Sequence, residues 1–195
     1  MSDPLDEPDD DATPLTPEER EGLIPSHITT RGQLNELEEQ NIAEAIASVF
    51  ARRRDPLTDS FSRNLHRRMF DKVWKWAGKY RTSKKNIGPN HWEVQPKLVG
   101  VFDNVRYWIE HKTYPPDEIA IRFHRDIVWI HPFPNGNGRW SRLMADMLCV
   151  FLGGDKFTWG GSTLRDHDET RRLYIDALRV ADNHDYTALI AFARS

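Results

Sequence analysis

The chain has 195 residues, 38% hydrophobic and 29% charged, with seven Trp and nine Phe, enough for one domain with a full core plus extensions. Its single cysteine, Cys149, excludes an internal disulfide and suits a reducing cytosol; no apolar run reaches membrane-spanning length; and the acidic start is unlike a secretory signal. The net charge of −3 is uneven, because residues 1–22 hold nine acidic side chains and one basic, leaving a mildly basic body that suits an anionic small ligand and argues against direct nucleic-acid binding.

Residues 1–14 are rich in Pro and Asp and nearly free of apolar side chains, the composition of a disordered acidic tail. Residues 15–30 read as an extended or turn-rich arm anchored by Leu15, Leu23, Ile24 and Ile28. Leu34, Leu37, Ile42, Ala45, Ile46 and Val49 recur at helical spacing up to the Arg52-Arg53-Arg54 run, so 15–54 is an arm and helix ahead of the main domain, 55–195. Thr58 or Asp59 can cap the next helix, whose stripe Phe61, Leu65, Met69 and Val73 runs toward Gly78. Asn86-Ile87 and Trp92-Glu93-Val94 flank Gly88-Pro89-Asn90, a short hairpin pattern.

Helices then follow one another. Leu98, Phe102, Val105 and Ile109 form one stripe. Pro115-Pro116-Asp117-Glu118 opens another helix, with Pro in the first turn and carboxylates on the positive dipole end. From it Ile119, Phe123, Ile127 and Ile130 lead into His131. After a Pro/Asn/Gly loop, Trp140, Leu143, Met144, Met147 and Phe151 share a face until Gly153-Gly154. Leu173, Ala177 and Leu178, then Leu189 and Ile190, mark the last helices. The class is all-α with one short β-hairpin.

The loop from His131 to Arg142 concentrates chemistry. Pro132 and Pro134 discourage helix, while Gly136 and Gly138 leave room for a ligand against the backbone. Asn137 tolerates left-handed geometry. A helix starting near Gly138 points free N–H groups at the loop, an anion site. Arg139 and Arg142, three apart on its first turns, oppose the helix dipole unless anions sit there. His131 is a base candidate near neutral pH. On these residues alone, an anion site and an ordinary turn are equally good readings.

The run His131-Pro132-Phe133-Pro134-Asn135-Gly136-Asn137-Gly138-Arg139-Trp140-Ser141-Arg142 resembles the signature of the Fic (Fido) family, His-x-Phe-x-Asp/Glu-Gly-Asn-Gly-Arg-x-x-Arg. Leu65-His66-Arg67-Arg68-Met69-Phe70 with Trp74 to Arg81, and Arg172 to Leu178, look like further family segments; the resemblance spans about 55–193. Together with Leu15 to Glu19, the chain looks most like the branch called mobile mystery protein B, usually encoded beside a helix-turn-helix partner protein.

The resemblance implies a helical bundle with a hairpin flap, and transfer of AMP from ATP to a Ser, Thr or Tyr hydroxyl of a target protein. It implies His131 as general base, Gly136, Asn137 and Gly138 as an anion hole, Arg139 and Arg142 on the outer phosphates, and Phe133 as loop support. The flap, with Asn86, Ile87, Trp92, Glu93 and Val94, would pair with the target. Where the family carries an Asp or Glu that ligates Mg²⁺ or Mn²⁺, this chain has Asn135, a neutral and weaker metal ligand. The alternative is therefore a weakened domain that binds a nucleotide or partner without transfer.

Family members also carry an inhibitory glutamate. Thr16 to Gly22 comes close to its motif and makes Glu21 the candidate, with Glu36, Glu38 and Glu39 read as solvated acids. His124 reads as a packed or loop-supporting residue, Trp74, Trp76, Trp108 and Trp140 as core, and Arg122 and Arg125 as surface charges.

Overall fold

The computed structural model describes residues 15–51, 54–161 and 167–195. The acidic tail (1–14) and Arg52-Arg53 lie outside the described residues. The fold is all-helical: α1 (Pro17–Arg20), α2 (Arg31–Val49), α3 (Asp59–Phe70), α4 (Val94–Glu110), α5 (Pro116–Ile130), α6 (Asn137–Phe151), α7 (His167–Ala181) and α8 (Thr187–Arg194). The antiparallel-type hairpin of α5 and α6 is the hub. α4 and α8 pack on α5, α3 packs on α6, and α2 lies on α3. None of the described helices is long and apolar enough to cross a membrane.

The apolar stripes bury as their spacing predicts in α4, α5 and α6, where Leu98, Phe102, Val105, Phe123, Ile127, Trp140 and Met144 are all at or near zero exposure. α2 departs from expectation. Its buried face is Leu34, Glu38, Asn41, Ala45 and Val49, while Ile46 is exposed. Ile24, expected as an anchor of the arm, is exposed too, whereas Leu15, Leu23 and Ile28 pack on the core.

The polar residues on the buried face of α2 have partners on other segments. Asn41 donates from Nδ2 to the Arg68 carbonyl (2.9 Å) and accepts at Oδ1 from the Lys72 N–H (3.1 Å). It thereby satisfies backbone groups at the end of α3, where they would otherwise be orphaned. This is why α3 stops at Phe70 rather than running toward Gly78, with Val73 buried in the following turn.

The expected hairpin does not form. Among the described residues the one β contact is an isolated bridge between Leu23 and Trp74. His91–Glu93 is a 3-10 turn that feeds α4, and Val94 is the first residue of that helix. Glu93 accepts from both the backbone N–H and the Nδ2 of Asn90, at 3.1 and 3.0 Å. The turn-forming Asn90 is thus a helix cap, a role that Gly-Pro-Asn followed by Glu serves as well as a hairpin turn.

Candidate active site

α5 ends on His131, which adopts a left-handed backbone (φ 49°, ψ 62°), uncommon for a residue with a side chain. Its Nδ1 lies 2.5 Å from the Val128 carbonyl oxygen, so Nδ1–H donates and Nε2 remains an acceptor with no protein partner among the described residues. Burial holds the His131 pKa below the ordinary imidazole value; the Val128 bond opposes this, and Arg81 and Lys85 reinforce it. The ring is therefore neutral at physiological pH, with the free nitrogen that a base requires.

Phe133 is fully buried, stacked on His66 with ring centroids 3.7 Å apart and edge-on to Trp140 at 5.1 Å. Asn137 is buried and helical, not left-handed. Its side chain accepts from the Phe133 N–H and donates to the Phe133 carbonyl, both at 2.9 Å. The amide therefore staples the loop shut and is not available as a ligand contact; only its backbone faces the helix start.

Gly136 supplies the left-handed position (φ 76°), and a Cβ there would meet the Phe70 ring at 2.4 Å. It is the N-cap of α6 without a side-chain cap, so the helix begins at Asn137, one residue ahead of the start expected from the sequence. A Cβ on Gly138 would meet nothing within 4 Å, so the first turn of α6 opens onto free space. This combination, uncapped N–H groups and a positive dipole end beside an open volume, favours an anion.

The two arginines differ. Arg139 pairs through Nη2 with Glu38 Oε2 at 2.7 Å, and Glu38 also accepts from Trp74 Nε1 at 2.6 Å. Glu38 is 5% exposed, which corrects its reading as a solvated acid. Arg142 lies over the Tyr174 ring at 5.2 Å, and no carboxylate pairs with it among the described residues. Glu21, the inhibitory candidate, is exposed at the end of α1 and reaches neither arginine.

Asn135 folds its Oδ1 onto the Gly136 N–H at 2.6 Å. It offers no charge, and binding a cation would take that oxygen from the amide. The residues present therefore fit a metal poorly, and among the described residues no group of three His, Cys, Asp or Glu could hold one.

Three residues that sequence reasoning gave no role complete the site. His66 donates from Nε2 to the Asn135 carbonyl (3.1 Å) and accepts at Nδ1 from the Gly78 N–H (3.0 Å). Full burial lowers its pKa to about 3, so it stays neutral. Arg81 is 2% exposed and its side chain donates to the backbone carbonyls of Ile130 and His131. Glu19 of α1 pairs with the buried Lys85 and accepts from Ser83 Oγ at 2.9 Å, which ties the arm to the 81–90 loop. The expected flap residues Ile87 (44% exposed) and Trp92 (67% exposed) stand on that loop's outer surface and at its end, while Val94 is buried.

His124 is buried against the Tyr174 hydroxyl at 2.9 Å, and Trp74 and Trp140 are core. Arg122 and Arg125 are not surface charges. Arg122 is sandwiched between the rings of Tyr114 and Tyr186, at 3.9 and 4.1 Å, and Arg125 pairs with Asp126 and Asp182, at 3.0 Å each.

The profile of the Fic/DOC family matches residues 56–149. The chain is 28% identical over 132 residues to the protein adenylyltransferase Fic of Aedes aegypti, a stretch covering 66% of this chain and 25% of that protein, so the chain spans about a quarter of the length of that relative. Its fold is similar to the N-terminal FIC domain of Bep8 from Bartonella sp. 1-1C (TM-score 0.69, 16% identity, 90% and 95% of the two chains). It is equally similar to BepC from Bartonella tribocorum, solved with bound AMPPNP (TM-score 0.69, 14% identity, 92% and 97%). The motif loop lies inside the matched segment, and residues 56–149 are a Fic/DOC-family segment.

Proposed function

We propose that this protein is a nucleotidyltransferase that moves AMP from ATP to a Ser, Thr or Tyr hydroxyl of a target protein. The observation that carries this reading is His131: its tautomer is set by Val128, leaving Nε2 unprotonated beside the open N-terminus of α6. The adenylyltransferase relative and the AMPPNP bound to BepC support ATP as the donor. In this reading His131 Nε2 takes the hydroxyl proton and the oxygen attacks the α-phosphorus. The bond from that phosphorus to the β-phosphate oxygen breaks, and pyrophosphate leaves. The first-turn N–H groups of Asn137 and Gly138 hold phosphate oxygens, the Gly136 N–H joins them only by leaving Asn135 Oδ1, and Arg142 holds the outer phosphate. Arg139 joins it only by exchanging Glu38 for phosphate. No step is assigned to a metal. The target docks against Ile87 and Trp92 by side-chain contact, since no strand edge is offered among the described residues.

The unit that does this comprises residues 55–195 with Glu38 of α2 reaching in. We place it in the cytosol, where the buried thiol of Cys149, its pKa pushed up to about 11 chiefly by burial, stays reduced. A neighbouring helix-turn-helix protein is the partner that the mobile mystery protein B likeness suggests, and co-purification of the two tests it.

The test is transfer from α-labelled ATP with Mg²⁺ or Mn²⁺ and a lysate, beside His131→Ala. Base catalysis contributes roughly 100- to 10,000-fold, so the variant should lose essentially all label. Absence of any His131-dependent label on target or self would reject transfer. The second reading, a binding module, is favoured by Asn135 folded onto Gly136 and by Arg139 held by Glu38. It predicts nucleotide binding by calorimetry without label, and no gain of label in Asn135→Asp.

A further inference from the structure

We propose that Arg81 is the positioning residue of the base: its side chain and backbone hold the end of α5 so that His131 keeps the left-handed conformation and the tautomer that leave Nε2 free. This rests on the transferase reading for its kinetic consequence, though not for its geometry.

Arg81 meets three successive carbonyls. Its Nη2 reaches Ile130 O at 3.4 Å, its Nε donates to His131 O at 2.6 Å, and its backbone N–H donates to Pro132 O at 2.9 Å. The last carbonyls of a helix have no partner within it, and here one residue from another segment supplies them. A guanidinium at that end also meets the negative pole of α5. The remaining donors hold the loop that leads to α4: Nη1 to Ser83 O at 2.8 Å and Nη2 to Pro89 O at 2.6 Å. Gly88 packs on the same helix end, where a Cβ would meet Ile130 O at 2.6 Å.

The placement does more than fill a core. A residue with a side chain is strained in the left-handed region and persists there only when its surroundings over-determine it. A planar fork with several donors can fix consecutive carbonyls; a lysine ammonium cannot match that geometry. If the backbone at 131 relaxed, the imidazole would swing from Val128 O, and either nitrogen could then carry the proton. Charged groups facing the ring are Arg81 and Lys85, the latter paired with Glu19.

The test compares wild type with Arg81→Lys by nitrogen-resolved NMR of the His131 imidazole, alongside kcat, nucleotide affinity and thermal unfolding. Wild type should show the Nδ1–H tautomer at neutral pH. Arg81→Lys should fold, show mixed tautomers, and lose about 100-fold in kcat with nucleotide affinity within about twofold. A single Nδ1–H tautomer with unchanged kcat in the variant overturns the proposal, as does loss of kcat and nucleotide affinity together in step with melting. If the variant does not fold, the wild-type Arg81 Nε–H decides: exchange as slow as global unfolding supports the clamp, and fast exchange overturns it. A wild type without label would reject the transferase reading, while the tautomer comparison would still report on Arg81.

Discussion

The motif loop has a floor and a mouth, and they are built by opposite rules. On the floor the polar groups of His66 and Asn137 are paired: His66 uses both ring nitrogens, and Asn137 bonds the N–H and carbonyl of Phe133. Phe133 lies between them with no exposure. At the mouth, Nε2 of His131 has no hydrogen-bond partner, Gly138 faces open space and the guanidinium of Arg142 has no carboxylate partner among the described residues. Two imidazoles, one saturated at both nitrogens and one half-used, show how the same residue type is made inert or reactive. The difference lies in whether the second nitrogen has been given a partner.

That contrast predicts a separation of stability from activity. Phe133→Ala should destabilise most, by about 3–5 kcal/mol in denaturant unfolding, since it empties a site packed by three rings. A loss under 1 kcal/mol would mean that the floor is not packed as described. His66→Gln acts through pH. The folded pKa of His66, about 3, lies below its ordinary value of 6.5, so its contribution is fully present above 6.5 and is lost as pH falls toward 3. The slope of unfolding free energy against pH between 4 and 6 should be shallower in the variant by about 1.4 kcal/mol per pH unit. His124, lowered to about 3 by burial, gives wild type a second slope of the same sign that the variant keeps.

The smallest stability effects fall on the glycines, and they should divide. Gly136→Ala forces a Cβ onto Phe70 at a left-handed backbone and should cost about 1–3 kcal/mol. Gly138→Ala should leave stability unchanged or raise it by up to about 1 kcal/mol, because a helical position gains a better helix former in open space. Its methyl group would stand where the proposed phosphates lie, so nucleotide affinity measured by calorimetry should fall. Equal destabilisation by both would erase the distinction between floor and mouth.

What was legible in the residues was local. α4, α5 and α6 follow from apolar spacing, and the His131–Arg142 run, an even choice between turn and anion site by itself, stands out through its likeness to the Fic signature. What was not legible depends on partners far along the chain. Two of the five buried positions of α2 are polar, so a search for apolar periodicity turns that helix to the wrong face. Glu38 gave a signal only by lying four residues after Leu34 and three before Asn41. Arg81 and His66 find their partners 50 and 69 residues away, and no local pattern announces such pairings. The hairpin failed for a different reason: Asn90 and Glu93 suit a helix cap as well as a turn, and tertiary contacts chose the cap.

The Asn41 side chain links two helices as a key sits in a lock. It fills the end of α3 only if it faces Arg68 and Lys72, and each residue inserted in α2 ahead of it would turn it by roughly 100°. Chain-length variation is therefore barred from within α2 and from within α3. Natural insertions and deletions in relatives should fall instead between α1 and α2 or at the α2–α3 junction, and an engineered tag or hinge belongs in those places.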